Sequence, residues 1–320
     1  MKNKELAGQE LDTHQPVMLA EVITALAMKP DGRYVDGTLG RGGHSQAMIE
    51  RLGPAGRLLM LDRDLAAISY AQQRFASDVR ITIVHRGFAE MPAVLQQAGL
   101  LGQVDGLLLD LGVSSPQLDQ AERGFSFSLG GPLDMRMDTS QGLSVGEWLK
   151  TVDEVTLADV LWRYGEEQQS RRIARAIVKA RTEAPMTTTR ELAQIIAAVM
   201  PPSHQLGKHP ATRSFQALRI FINAELDQLH TFLEQAMTLL AAHGRLAIIS
   251  FHSLEDRIVK QWMQRQVQGI EPPRGMPLRE VDIQRNQTAR WCVKMAKPSD
   301  AEVAHNPRAR SAILRVIEKC

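Results

Sequence analysis

A glycine-rich loop that begins with an acid follows the first strand-like run. The segment Asp36-Gly-Thr-Leu-Gly-Arg-Gly-Gly-His44 joins the apolar run at 33–36 to a helical pattern. Glycines let a backbone approach a ligand without Cβ clashes, and helix N-termini offer free N–H groups. Asp62 ends the second strand-like run, at about the distance where an acid binds ribose hydroxyls. Together these features predict a nucleoside cofactor site, although the loop alone fits a tight turn and Asp62 alone a helix N-cap.

The glycine spacing distinguishes two kinds of cofactor. A dinucleotide fold needs Gly-x-Gly-x-x-Gly, whereas these glycines stand at positions 37, 40, 42 and 43. Asp36 precedes the loop and suits the cationic amino-acid tail of S-adenosylmethionine better than a pyrophosphate. Phe88, after the third strand-like run, is a candidate to stack on adenine, and an ordinary core position is the alternative. The sequence therefore favours S-adenosylmethionine.

These residues need a scaffold that brings strand ends together. Strand-like runs at 33–36, 57–62, 80–85 and 104–110 alternate with helical patterns at 44–52, 65–75 and 91–98. Such alternation predicts βαβ units and a doubly wound, Rossmann-like parallel α/β sheet. The carboxyl ends of the strands then line one crevice. Asp64 is the expected N-cap of the helix at 65–75.

Helical patterns replace this alternation after Asp110. A stretch rich in Gly, Ser and Pro spans 112–142, and its composition leaves open whether it closes over the site as a lid. Helices are predicted at 145–150, 157–164, 168–181 and 189–200, followed by one helix from His209 through Phe221 to Leu240. Strand-like runs resume at 244–251 and 311–317. We predict an α/β core in two parts, 1–115 and 213–320, with a mostly helical insert at 116–212. The insert is our candidate RNA-binding domain, because a basic helical face suits a polyanion.

Composition excludes several classes of protein. The 320 residues are 44% hydrophobic with a net charge of +2, which excludes a disordered chain and a uniform polycation. Two cysteines, Cys292 and Cys320, cannot form a disulfide framework. The polar stretch at 1–10 is not a signal peptide, and no apolar run reaches the roughly 18–20 residues of a membrane span. We expect a cytoplasmic protein without a membrane partner.

Charge is uneven along the chain. Residues 101–170 hold 12 acidic and 4 basic side chains, whereas residues 168–220 hold 2 acidic and 9 basic ones. The basic segment fits either solvated helix faces or a surface for a polyanion.

Ten sequence blocks resemble one known family. Together they cover about residues 13 to 318, and the pattern is similar to that of the bacterial small-subunit rRNA cytosine-N4 methyltransferases, called RsmH or MraW. The blocks begin at His14, Asp36, Leu61, Asp110, Arg123, Gly131, Tyr164, His209, Ser250 and Asn306.

The resemblance implies a cofactor, a fold and a substrate. It implies S-adenosylmethionine, a class I methyltransferase core with an inserted helical domain, and transfer of a methyl group to the exocyclic N4 amine of a cytidine in the decoding region of 16S rRNA. The cofactor contacts that it implies are Gly42, Gly43, His44, Asp62, Phe88, Asp110 and Gln117. Thr38 stands where methyltransferases usually carry a glycine, and Asp110 lacks the Pro-Pro-aromatic sequence common in amino-group methyltransferases.

Cytosine amines are poor nucleophiles, so an acceptor near the amine would help. Asp110, at the end of the fourth strand, is our candidate base, and a cofactor contact alone is its alternative role. His252 and Ser253 are candidates to hydrogen-bond the base edge, with Phe251 stacking on it. Their alternative is a strand-to-helix turn with Ser253 as N-cap and Asp256 as its capping-box acid.

The implied partner is 16S rRNA, within the small ribosomal subunit or its precursor, and the base must be single-stranded or flipped. No metal is expected, and a homodimer is left open. The candidate phosphate contacts are Arg171, Arg172, Arg175, Lys179, Arg213, Arg308 and Arg310.

Two other functions remain open at this stage. One is a small-molecule methyltransferase or a nucleotide-dependent oxidoreductase. The basic insert argues against a small-molecule substrate, and the glycine spacing argues against the oxidoreductase. The other is an assembly factor that keeps the fold without turnover.

Overall fold

The computed structural model describes residues 16–201, 209–269 and 287–320. The polar stretch at 1–10 and the start of the His14 block lie outside these ranges. Across the described residues, no helix is both long and apolar enough to cross a membrane. The strands are β1 (Arg33–Asp36), β2 (Arg57–Asp62), β3 (Ile81–His85), β4 (Val104–Asp110), β5 (Leu240–Ser250), β6 (Ala289–Ala296) and β7 (Ile313–Lys319).

The strands form one doubly wound sheet, which confirms the predicted fold class. Their order is β3-β2-β1-β4-β5-β7-β6, and β1 to β5 run parallel while β7 is antiparallel to both neighbours. The direction of winding reverses between β1 and β4, so the ligand crevice of such sheets belongs beside the ends of these two strands. Asp36 and Asp110 end β1 and β4, and Asp62 ends the neighbouring β2.

The helices follow most of the predicted patterns. In chain order they are α1 (Leu19–Leu26), α2 (Gly43–Ile49), α3 (Leu65–Phe75), α4 (Met91–Gln97), α5 (Ser115–Asp119), α6 (Val145–Thr151), α7 (Glu154–Gly165), α8 (Ser170–Glu183), α9 (Thr189–Val199), α10 (Thr212–Ile222), α11 (Glu225–Leu239), α12 (Ser253–Gln268) and α13 (Asp300–His305).

Alternating side chains place apolar groups on both faces of the sheet. In β2, Leu58 and Met60 join the core beneath α1, α2 and α3, whereas Leu59 and Leu61 join the core beneath α4, α11 and α12. All four side chains are at most 5% exposed, as expected for parallel strands covered on both faces. The strand ends are thereby fixed by two separate cores.

A third core lies within the helical insert. It gathers buried side chains from Phe125 to Leu218, which come from α6 to α10 and from the segment before them. Within α8, Ile173, Ala174 and Ile177 are fully buried, while the residues between them in sequence face outward. The domain bounds 1–115, 116–212 and 213–320 stay a prediction.

The predicted single helix from His209 to Leu240 is wrong, because the chain breaks at Asn223 and Ala224. Ala224 has φ 46°, in the left-handed region, and it separates α10 from α11. Asn223 ends α10 and hydrogen-bonds the backbone of Met135 and Met137, more than 80 residues away in sequence. These long-range bonds satisfy the amide and stabilise the break, which periodicity alone does not show.

Candidate active site

A cleft opens at the carboxyl ends of β1, β2 and β4, at the reversal point of the sheet. Its walls come from the glycine loop, the strand-end acids, the segment before the insert, and the starts of α11 and α12. We call this cavity the cleft, and the lining residues that matter chemically are Gly37, Asp62, Phe88, Asp110, Met137 and Glu255.

Asp36 lies beneath the glycine loop and is only 1% exposed. One carboxylate oxygen accepts a hydrogen bond from the Ser45 hydroxyl at 2.6 Å, and the other accepts one from the Thr38 N–H at 3.1 Å. Burial raises the pKa of Asp36. One oxygen thus bonds to the loop and the other to Ser45 of α2, so Asp36 joins the loop to this helix, and it is absent from the cleft wall. Its contact with the cofactor stays a prediction.

The loop needs glycine at two positions for different reasons. Gly42 has φ 70°, and a Cβ there would lie 2.9 Å from the Phe75 ring. At Gly43, the first residue of α2, a Cβ would lie 2.8 Å from the Pro16 side chain. Gly43 lines the cleft and Gly42 does not. Gly42 therefore contributes to the site through the left-handed backbone turn that it allows in the loop.

Asp62 joins the end of β2 to the glycine loop. Its carboxylate accepts hydrogen bonds from the N–H groups of Gly40 and Asp64, both at 2.8 Å. Burial raises the pKa of Asp62 to about 6, with Asp64 and Asp36 adding to the effect. Each oxygen keeps a lone pair for a further donor, so the carboxylate is suited to a ribose diol.

The predicted N-cap role of Asp64 is confirmed, since its side chain accepts a hydrogen bond from the N–H of Ala66.

Asp110 ends β4 with an unsatisfied carboxylate. The side chain keeps 24% of its surface exposed, yet its Oδ1 is buried and has no hydrogen-bond partner among the described residues. Its Oδ2 lies 3.7 Å from His44 Nδ1. Burial raises the pKa of Asp110 well above its ordinary value, and the charges of Asp36 and Glu255 raise it further. A cationic ligand in the cleft would stabilise the charged form of this carboxylate and lower its pKa again.

Two neighbours fix the position of Asp110. Its backbone N–H donates to the Thr38 hydroxyl at 2.6 Å, so the threonine that replaces the usual glycine joins the loop to β4. His44 is buried, and its Nε2 lies 2.9 Å from the Val17 carbonyl oxygen. Because a carbonyl only accepts, Nε2 carries the proton and Nδ1 is the nitrogen directed at Asp110.

Phe88 and Gln117 both line the cleft, as predicted for cofactor contacts. Phe88 packs edge-on against Phe232, with ring centroids 5.9 Å apart, so it belongs to the core as well as to the cleft wall. Gln117 accepts a hydrogen bond from the Ser114 N–H and donates one to Asp64. Its amide thus bonds to the protein itself, and its contact with the cofactor stays a prediction.

The segment at 112–142 is anchored by side chains that sequence reasoning missed. Arg123 donates to the Asp64 carboxylate at 2.7 Å and to the carbonyl oxygens of Arg136 and Met137 at 3.2 and 3.1 Å. Asn223 accepts a hydrogen bond from the Met137 N–H at 2.8 Å. Met137 lines the cleft, so these bonds hold part of its wall between the core and the insert.

The predicted cap at the start of α12 is wrong by one residue. His252 is the N-cap, and Glu255 is the acid of the capping box, in place of Ser253 and Asp256. Asp256 instead pairs with the buried Arg315 of β7, at 2.8 Å. The helix begins at Ser253, so Glu255 is its third residue, and its carboxylate accepts from the N–H groups of Phe251 and His252, which precede the helix.

His252 and Ser253 do not meet Asp110 in the cleft. Both line a second cavity on the insert side, and among the described residues only Phe251 borders both cavities. The Ser253 hydroxyl donates to Glu166 of the insert at 3.1 Å. Contact of His252 or Ser253 with a substrate base therefore stays a prediction about the second cavity.

Glu255 and Glu225 add two acids to the cleft that sequence reasoning missed. Glu255 is 2% exposed and accepts hydrogen bonds from the N–H groups of Phe251 and His252. Glu225 accepts both hydrogen bonds of a bidentate pair with Arg219, at 2.8 and 2.9 Å. The ligand atoms of Glu225, Glu255 and His252 lie within 4.8 Å of one another. The Arg219 guanidinium already supplies a positive charge to this cluster through its pair with Glu225.

The predicted phosphate contacts lie in separate places. Arg171, Arg172, Arg175 and Lys179 are exposed on α8 and line neither cavity. Arg213 lines the second cavity, whereas Arg308 lines the cleft and pairs with Asp119. Arg310 is exposed beside it.

Comparison with known proteins gives a consistent result. Residues 12–320 match the model of the MraW methylase family. The chain is 52% identical over 306 residues to the ribosomal RNA small subunit methyltransferase H of Shewanella amazonensis, covering 96% of this chain and 97% of that protein. It is 51% identical, with the same coverage, to the protein of that name in Shewanella denitrificans. The chain therefore belongs to the MraW methylase family.

Proposed function

We propose that this protein transfers a methyl group from S-adenosylmethionine to the N4 amine of a cytidine in the decoding region of 16S rRNA. The observation that carries the proposal is the unsatisfied Asp110 carboxylate at the end of β4, in an acidic cleft beside a glycine loop. Similarity to proteins named ribosomal RNA small subunit methyltransferase H supports the substrate. Such a reaction belongs in the cytoplasm, on the small subunit or its precursor.

The residues of the cleft suit the charge of this cofactor. The carboxylates of Asp62 and Asp110 line the cleft, and a sulfonium or an ammonium beside Asp110 would offset its buried charge, whereas a pyrophosphate would not. The cleft wall also holds cations, on Arg41, Arg63 and Arg308. Phe88 and Met137 offer apolar surface to an adenine on the same wall. Asp62 would hold the ribose hydroxyls, and Gly43 and His44 the amino-acid tail. When bound, the cofactor supplies a methyl group made electrophilic by its sulfonium.

The protein supplies alignment and a proton acceptor. Positioning of the amine in line with the methyl donor contributes up to roughly 7–11 kcal/mol in the best intramolecular cases. Asp110 accepts the proton that the amine loses as its new C–N bond forms, and its raised pKa suits this role. The alternative role, a contact to the cofactor alone, predicts weaker cofactor binding in an Asp110→Asn variant without a separate loss of turnover.

The test uses purified protein, S-adenosylmethionine with a labelled methyl group, and small ribosomal subunits lacking the modification. Digestion of the rRNA and mass spectrometry should reveal N4-methylcytidine, and binding assays should detect S-adenosylmethionine but not NAD. Absence of methylation on mature subunits, on precursors and on free 16S rRNA would favour the assembly-factor alternative. Methylation of a small molecule in place of rRNA would also refute the proposal.

A further inference from the structure

A second cavity lies between the insert and the core, on the far side of Phe251 from the cleft. The end of α7 and the start of α10 form one wall, and the start of α12 and of β7 form the other. We call it the groove, and the residues used below are Glu166, Arg213, Phe251, His252, Arg257 and Lys260. Its volume is about 950 Å³, near the upper end of the roughly 300–1,000 Å³ typical of ligand pockets.

The groove and the cleft meet at Phe251. This side chain is partly exposed and borders both cavities at the end of β5. The next residue, His252, lines the groove, whereas Glu255, one turn into α12, lines the cleft. His252 Nε2 lies 3.1 Å from Glu255 Oε1, without the angle of a hydrogen bond. A flat ring that passes from the groove into the cleft would therefore meet Phe251 on its way.

The acids of the groove already have cationic or backbone partners. Glu166 accepts hydrogen bonds from Arg257 and from the Ser253 hydroxyl, each at 3.1 Å. Asp256 pairs with Arg315, which lies outside the groove. Glu167 is 1% exposed and accepts a hydrogen bond from the N–H of Gln169.

Two cations of the groove lack such compensation. Among the described residues, neither Arg213 nor Lys260 forms an ion pair, and Arg213 donates only to the Glu166 carbonyl oxygen, at 3.3 Å. They stand on opposite walls, one on α10 and the other on α12. The groove thus presents on each wall a cation that forms no ion pair, and the Arg213 charge helps Arg257 to lower the pKa of Glu166.

Two of the four candidate cations on α8 are paired with acids, whereas Arg171 and Arg172 form no ion pair among the described residues. Arg175 pairs with Glu154 at 3.3 Å, and Lys179 pairs with Glu183 at 3.8 Å. Exposed pairs such as these are weak, so they do not prevent phosphate binding, but they reduce the net charge that α8 presents. The α8 cations also line neither cavity.

We propose that the groove binds the single-stranded RNA that flanks the target nucleotide, with Arg213 and Lys260 on its phosphates and Phe251 stacking on a base. This inference rests on the proposed function and assigns it a substrate path. Single-stranded RNA offers unstacked bases to rings and phosphates to cations, which matches both features of the groove.

The test compares the Arg213→Ala/Lys260→Ala double variant with wild type and with Lys29→Ala. Lys29 pairs with Asp105 at the opposite end of the strands, and its replacement is the control for loss of a single surface charge. Binding of a single-stranded RNA with the target sequence is measured by fluorescence anisotropy over a range of salt concentrations. Each lost phosphate contact should reduce the slope of log K against log salt by about 0.7. We expect a reduction near 1.4 in the double variant, a raised KM for ribosomal subunits, and wild-type behaviour of Lys29→Ala.

Photocrosslinking with 4-thiouridine RNA gives an independent readout. Crosslinks should fall on the peptides that contain Phe251 and His252. An unchanged salt slope and crosslinks on α8 alone would overturn the inference while wild-type methylation still supports the proposed function. Failure of wild type to methylate rRNA would instead count against the function itself. Binding of an acidic peptide in the groove, without competition by RNA, would also overturn the inference.

Discussion

Replacement of Asp110 by asparagine keeps the size of the side chain and removes its charge. In the wild-type protein without ligand, Oδ1 is buried and unpartnered, and the charges of Asp36 and Glu255 raise the pKa of Asp110 together with burial. The amide of asparagine would be equally unpartnered, so the difference lies in the charge: a buried carboxylate beside two other acids is less stable than a neutral amide, on the order of 1–3 kcal/mol. We therefore expect Asp110→Asn to raise the free energy of unfolding by up to that amount, or the Tm by roughly 2–6 °C.

The pH dependence of this effect has a definite sign. Below about pH 4, Asp110 is protonated in both the folded and the unfolded state, so it contributes no difference. As the pH rises, the unfolded chain releases the proton first, because the folded-state pKa of Asp110 is raised. Wild type loses this contribution of Asp110 over the range, and Asp110→Asn lacks it, while Asp36 and Asp62 act in both proteins. The stability advantage of the variant should grow from pH 5 to pH 8.

Urea unfolding at these two pH values measures the effect, and single-turnover methyl transfer measures its functional cost. We expect transfer to fall roughly 10²–10⁴-fold, the contribution typical of general acid–base catalysis. Asp105→Asn is the control, since Asp105 is paired with Lys29 and with the N–H of Arg33 at the opposite end of the strands. It should lose stability and keep its activity. Destabilisation by Asp110→Asn at both pH values would refute the account of a strained carboxylate, and an unchanged transfer rate would refute its role as base.

Three further predictions concern the cleft. Gly42→Ala should lose about 1–3 kcal/mol of stability in urea unfolding, more than Gly99→Ala, which also has positive φ but open space around its Cβ position; equal losses would contradict the packing argument. Affinity for S-adenosylmethionine, measured by titration calorimetry, should fall as the pH drops through about 6, because protonated Asp62 loses acceptor capacity, and Asp62→Asn should remove this dependence. Arg123→Met should cost on the order of 3–5 kcal/mol and weaken cofactor binding, since it leaves Asp64 buried without its cation; a wild-type Tm would show that the pair is dispensable.

Local pattern was sufficient for the parallel part of the sheet. Apolar runs such as 57–62 and 104–110 became buried strands, and their alternation with helices required a parallel arrangement. Parallel strands end at one edge, so Asp62 and Asp110 came to the same cleft as the glycine loop. By contrast, β6 was missed, because it is an edge strand paired on one side, with four of its eight residues exposed and a single one buried.

The sequence by itself determined the doubly wound core, the glycine loop and the acids that follow its strands, because each depends on neighbours a few residues away. Only the tertiary structure decided which side chains share a cavity. Asn223 breaks a helix by bonding to residues 86 and 88 positions away, and Arg308 pairs with Asp119 across 189 positions. Glu255 lines the cleft while His252 and Ser253 line the groove, because the first turn of a helix directs successive side chains to different sides. These long-range contacts depend on how the insert packs on the core. The periodicity of the sequence does not predict that packing.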